Sequence, residues 1–139
     1  MSFPAEMTVP AVRYFYEALA TGDTPLVDLA LDVGWEAVPA LRTGPGPDGW
    51  KASIEHLRSV FADLTVTIES VVVDGDVVAV RSLNRARHVG ELLGVAGTGR
   101  AIEFRASDFH RLENGRIVQT WHLEDYFGIA GQLGLTFSL

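Results

Sequence analysis

The sequence predicts an α+β fold: a cone-shaped, curved antiparallel sheet with N-terminal helices enclosing a pocket. Three observations predict it. Apolar residues recur at helical spacing until about residue 62. Past Asp63 they alternate with polar ones at the period of strands. Two hairpin signals, Asp74-Gly75-Asp76 and Asn114-Gly115, then punctuate that second part. Helices first and strands after is the order of an α+β domain, not of an alternating α/β one. At 139 residues the chain is expected to form one domain, 1–139, long enough to bury a full core.

The first helix is expected to be capped by Thr8 and to accept Pro10 in its early turn, with Val12, Phe15, Tyr16 and Leu19 as its buried stripe. Gly22 ends it. Thr24-Pro25 restarts a short helix with Leu26, Leu29 and Ala30 on its apolar side. Val33 to Glu36 leads into Pro39 as a connector, and residues 43–49, TGPGPDG, read as irregular. A third helix is predicted from Trp50 to Ala62, burying Trp50, Ile54, Leu57 and Phe61. Strands follow at Val66–Val73 and from Val77 through Arg85-Ala86-Arg87-His88 to about Leu93. Gly94–Gly99 turns the chain into the last hairpin, and Asp125 caps a short C-terminal helix. Three helices cover one face of such a sheet and leave an apolar interior open at one end, a common form of small-molecule site.

The last hairpin, residues 101–127, concentrates the polar chemistry. With Glu113-Asn114-Gly115 as a three-residue loop, Asp108 faces Thr120, His110 faces Val118 and Ala106 faces His122. One face then carries Phe104, Asp108, His110, Thr120, His122 and Glu124. The other carries Phe109, Ile117, Trp121 and Leu123. A two-residue turn would shift the pairing by one and separate Asp108 from His122. The longer loop is preferred because it leaves one face largely polar. A face bearing two His, an Asp and a Phe suits proton transfer better than simple solvation.

Composition narrows the function. The formal net charge of -7, with ten Arg and one Lys, disfavours nucleic acid or an anionic membrane as partner. No cysteine means no disulfide, thiolate nucleophile or cysteine-ligated metal. No basic-then-apolar leader and no stretch of membrane-spanning length are present, so a cytoplasmic protein is expected. Asp108 with His122 can work as an acid/base pair or be a buried polar pair that satisfies itself. Asp108, His110 and His122 are conceivable metal ligands, but no fourth is obvious and no metal is expected. Tyr14, Phe15, Trp35, Trp50 and Phe61 can line a cavity for a flat ligand or be plain core. His88 serves structure or the pocket mouth, and His56 is expected on the surface. The arginines at 81, 85 and 87 alternate along one strand, as on a solvated or interfacial face.

Three stretches, VRYFYEALATGD, RHVGELLGVAGTGRAIEF and FHRLENGRIVQTWHLEDYFGIAGQLG, carry a resemblance. The chain resembles the SnoaL-like polyketide cyclases of the nuclear-transport-factor-2-like superfamily over most of its length. The resemblance implies a cofactor-free enzyme that closes a ring by intramolecular aldol condensation of a polyketide ester, usually as an oligomer. Family cyclases place an Asp acid/base on the last strand where this chain has His122, and a partner His where it has Asp108. The two residue types are exchanged. A one-residue offset would instead bring Asp125 forward as the family's Asp.

The expected function is therefore a small-molecule cyclase, with His122 as general acid/base and Asp108 orienting it. His110, Tyr14, Trp35, Phe61, His88, Phe104 and Thr120 are expected to shape the site of an apolar or aromatic ligand. Rival readings are a hydrolase, isomerase or hydroxylase on the same fold, and a non-catalytic binding or dimerisation module. A homodimer through the outer sheet face is expected, because Phe109, Trp121 and Leu123 form a large apolar group.

Overall fold

A computed structural model describes residues 9–137. Four helices, α1 (Pro10–Thr21), α2 (Leu26–Ala30), α3 (Gly46–Val60) and α4 (Tyr126–Gln132), accompany five strands. These are β1 (Leu31–Val38), β2 (Phe61–Asp74), β3 (Val77–His88), β4 (Ala101–Glu113) and β5 (Arg116–Glu124), in one sheet of order β1-β5-β4-β3-β2.

α1 begins with Pro10 in its first turn and buries Val12, Phe15 and Tyr16. Gly22 stops it in the left-handed region, φ 79°, donating its N–H to the Ala18 carbonyl. The expected cap, Thr8, lies outside the described residues. α2 is only five residues long and turns Val27 and Ala30 inward, leaving the expected Leu29 49% exposed.

The connector read at Val33–Glu36 lies within a strand, Leu31–Val38, instead. β1 runs parallel to β5, with Ala37 paired to Thr120 and Val38 to Trp121, so the sheet is mixed rather than wholly antiparallel. Gly34 and the flanking acidic residues give this strand weak intrinsic preference, and its long-range partner supplies the hydrogen bonds. α3 starts inside the stretch read as irregular. Pro45 caps it, Pro47 needs no intrahelical N–H in the first turn, and a Cβ at Gly49 would strike the Gly44 carbonyl. The helix ends at Val60, and Phe61 opens β2 while still buried. β3 stops at His88, short of Leu93, where the chain leaves the sheet in a loop closed by a Leu92–Val95 bridge.

In the last hairpin the expected three-residue loop is replaced by a two-residue turn. Asn114 and Gly115 have φ of 50° and 79°, the double positive of a tight hairpin turn. Glu113 pairs with Arg116 and Leu112 with Ile117, after which Val118 bulges and Arg111 pairs with Gln119. Beyond the bulge Asp108 pairs directly with His122, His110 with Thr120 and Ala106 with Glu124. The bulge supplies the residue the tight turn lacks, so even-numbered residues face inward on both strands. Ile117 precedes the bulge. It therefore faces the core, fully buried, and not the outer surface.

Two apolar clusters form inside. One sets Val12, Phe15, Tyr16, Trp50 and Ile54 against Val66, Val78, Val80 and Ile117, with Phe15 and Trp50 stacked at 4.8 Å. The other gathers Val60, Phe61, Ala86, Ile102, Ile129 and Leu133. On the outer face Phe109, Trp121 and Leu123 are exposed. Arg81, Arg85 and Arg87 are exposed there too, paired with Glu69, Glu103 and Asp63. No helix among the described residues is long and apolar enough to cross a membrane.

Candidate active site

β4 and β5 present Asp108, His110, Thr120, His122 and Glu124 inward, and α1 lays Tyr16 across them. The Tyr16 hydroxyl donates to Asp108 Oδ2 at 2.7 Å and lies 2.8 Å from His110 Nε2. His110 Nδ1 is 2.9 Å from Thr120 Oγ1, which accepts from Trp35 Nε1 at 3.0 Å. β1 thus enters the site through Trp35.

Donor and acceptor capacity gives this chain one direction. The Tyr16 hydroxyl gives its one proton to Asp108, so His110 Nε2 must donate to it. Nδ1 of the neutral ring then accepts from Thr120, whose oxygen accepts from the Trp35 indole N–H. Burial alone holds the His110 pKa down at about 3, so the ring is neutral, as this order requires. Burial, with the Asp108 charge second, raises the Tyr16 pKa well above 10.0, keeping it a donor. The whole chain converges on one carboxyl oxygen.

Burial is also the main cause that pushes Asp108 from 3.8 up to about 7. The Tyr16 hydrogen bond and the His122 charge oppose that rise, and the Glu124 charge adds to it. Oδ1 takes no hydrogen bond among the described residues, so one oxygen is anchored and the other is free to react.

His122 is half-buried and is not hydrogen-bonded to Asp108. Its Nδ1 lies 2.8 and 3.1 Å from the two Glu124 oxygens, and its Nε2 2.7 Å from the Pro39 carbonyl. Both partners are acceptors, so both ring nitrogens donate and the imidazolium is the form that fits. The Glu124 bond is the main cause of its raised pKa; burial opposes, and the Pro39 bond adds. Glu124 and Pro39, not Asp108, orient His122.

The remaining expected residues divide. Thr120, His110 and Trp35 belong to the hydrogen-bonded chain, and Tyr14 packs at the margin of the first cluster. Phe61 and Phe104 lie 5.6 Å apart, in and against the second cluster. His88 is fully buried and tied through Nδ1 to Thr98, away from the Asp108 group. Asp125 caps α4, accepting from Gly128 N–H at 2.8 Å. Among the described residues no three His, Asp or Glu gather as metal ligands. Two open clefts flank the site. One of about 280 Å³ runs between Trp35 and Gly46, the other of about 360 Å³ beside Glu124 and Tyr126. Neither of these two clefts is lined by Asp108.

Sequence reasoning missed Tyr16 and Glu124 as site residues. Tyr16 sat in a helical stripe that looked like plain core, and its hydroxyl was the unused signal: a buried phenol needs a partner.

The comparisons agree with this architecture. Aklanonic acid methyl ester cyclase DnrD of Streptomyces peucetius is 28% identical over 131 residues, spanning 91% of this chain and 90% of that protein. The structure of TsrD from Streptomyces laurentii superposes with a TM-score of 0.86 at 27% identity, covering 97% of this chain and 100% of that one. IdmH from Streptomyces antibioticus gives 0.77 at 28% identity, covering 90% and 96%. The family model described as SnoaL-like polyketide cyclase matches residues 10–133, and with nearly the whole fold inside that match, the chain belongs to the SnoaL-like polyketide cyclase family.

Proposed function

We propose that the protein is a cofactor-free cyclase that closes a ring in a polyketide ester by intramolecular aldol reaction, with Asp108 as the acid/base. The observation that carries this reading is the Asp108 carboxyl: one oxygen anchored by Tyr16, the other free, and a pKa of about 7. A base works best when its pKa lies near the working pH. The roles expected of the two residues are thereby reversed.

In the reaction, Asp108 Oδ1 removes the proton from a carbon activated by neighbouring carbonyls. The resulting enolate carbon attacks a second carbonyl carbon of the same molecule, and the new alkoxide takes its proton from Asp108. The sum is an isomerisation, and Asp108 returns to its carboxylate. His122, held as imidazolium by Glu124 and Pro39, stabilises the enolate by charge from the neighbouring strand. The name of the Streptomyces peucetius relative supplies the first substrate to try, aklanonic acid methyl ester. Incubation should yield a product of unchanged mass and altered retention on liquid chromatography, about 10²–10⁴ times slower with Asp108→Asn. A wild-type protein inert toward this ester would remove the ester-cyclase reading.

A further inference from the structure

Between the two apolar clusters the sheet floor is polar, and part of it lies beyond the residues already assigned. Ser82 and Asn84 are 2% and 3% exposed on β3, while Arg81, Arg85 and Arg87 of the same strand are exposed. Alternation therefore turns both inward. Ser82 pairs with Ala106, which pairs in turn with Glu124; two residues along, Asn84 pairs with Phe104.

Both side chains are short of partners. Their one mutual contact, Asn84 Nδ2 to Ser82 Oγ, is 3.5 Å, the outer limit of a hydrogen bond. An amide has two N–H donors and a carbonyl acceptor, and Asn84 Oδ1 takes no hydrogen bond among the described residues. Buried amides ordinarily have their groups satisfied. The neighbours are a small side chain and an aromatic one. Ala106 is the smallest side chain in its row, and Phe104, beside Asn84, stands 5.6 Å from Phe61.

We propose that Ser82 and Asn84 form a subsite that hydrogen-bonds a phenol or ketone oxygen on a planar fused-ring ligand, with the ring against Phe104. The proposal rests on the cyclase reading for the class of ligand. Val80 pairs with Asp108, so Asn84 lies four residues further along, roughly 13 Å at the rise of a strand. That separation places the subsite at the end of the ligand remote from the reacting carbon. Asn84 accepts from a phenol through Oδ1 or donates to a ketone through Nδ2, and Ser82 does either.

The test needs no turnover. The chain has two asparagines, Asn84 and Asn114, so two asparagine side-chain amides appear in a nitrogen–proton correlation spectrum. Titration with 1-naphthol should move the Asn84 amide and leave Asn114, at the hairpin tip, in place. Naphthalene should bind more weakly, and Asn84→Leu should abolish the preference for 1-naphthol, about tenfold. Ser82→Ala, the smaller change, should reduce that preference about threefold if the leucine variant does not fold. An Asn84 amide that stays fixed under saturating 1-naphthol, or variants with unaltered preference, would overturn the subsite. Asp108→Asn should bind 1-naphthol as wild type does, so a dead catalyst and an absent subsite give different results.

Discussion

Asp108 is expected to cost the protein stability, and that cost has a definite pH dependence. Its folded pKa of about 7 lies about three pH units above the ordinary 3.8. Below about pH 4 the carboxyl is protonated folded or unfolded and exacts nothing. Between about pH 4 and 7 the unfolded chain releases the proton while the fold retains it, so stability falls as pH rises. At about 1.4 kcal/mol per unit, the loss reaches about 4 kcal/mol above pH 7. That is a large share of the roughly 5–15 kcal/mol a domain of this kind possesses. Asp108→Asn keeps the shape and an oxygen for Tyr16 but cannot ionise. Urea unfolding at pH 4 and pH 8 should show the variant gaining several kcal/mol on wild type across that interval. His122, with its pKa raised, loses its own contribution as pH rises through the folded value, but in both proteins, and so largely drops out of the difference. A difference between variant and wild type that stays flat from pH 4 to 8 would refute a buried, neutral-pH Asp108.

Other consequences are open to measurement. Tyr16→Phe removes the hydrogen bond that opposes the rise of Asp108, so the acidic limb of the pH–rate profile should move to higher pH; a limb that moves lower would contradict the assignment. The same variant strands the His110 Nε2 donor and should lose about 1–3 kcal/mol in chemical denaturation. His122→Ala should lower turnover about 10²–10³-fold without moving the profile to the position of an unassisted carboxylate, and full activity would remove the imidazolium from the mechanism. The outer face, with Phe109 52% and Leu123 73% exposed, should seat a second copy; sedimentation should give a dimer for wild type and a monomer for Trp121→Glu, and a monomeric wild type at micromolar concentration would dispose of the idea.

Local chemistry made much of this protein legible. The stripe Val12-Phe15-Tyr16, the stop at Gly22, the turn at Asn114-Gly115 and the cap at Asp125 each announce themselves through propensity or backbone requirement. What stayed hidden depends on distant partners. β1 exists because β5 offers it a parallel edge, which nothing in LDVGWEAV announces. α3 begins among prolines and glycines because its first turn needs few intrahelical N–H groups and a bare Gly49 against Gly44. Asp108 and His122 were visible as neighbours, yet their protonation roles were not. Those depend on Glu124, two residues beyond His122, and on Tyr16 and the Pro39 carbonyl, reached from two other parts of the chain.

The bulge at Val118 has a further consequence for the length of the chain. β5 holds one residue more than its pairing with β4 uses, so the strand has a spare position. Deleting Val118 would leave Leu112 opposite Ile117 and Arg111 opposite Gln119, with Thr120, His122 and Glu124 still facing inward. Deleting Trp121 or His122 would turn the strand inside out from that point, bringing Leu123 to the position of a site residue. Within a nine-residue strand, a missing residue is thus tolerable at one place and ruinous a few positions later.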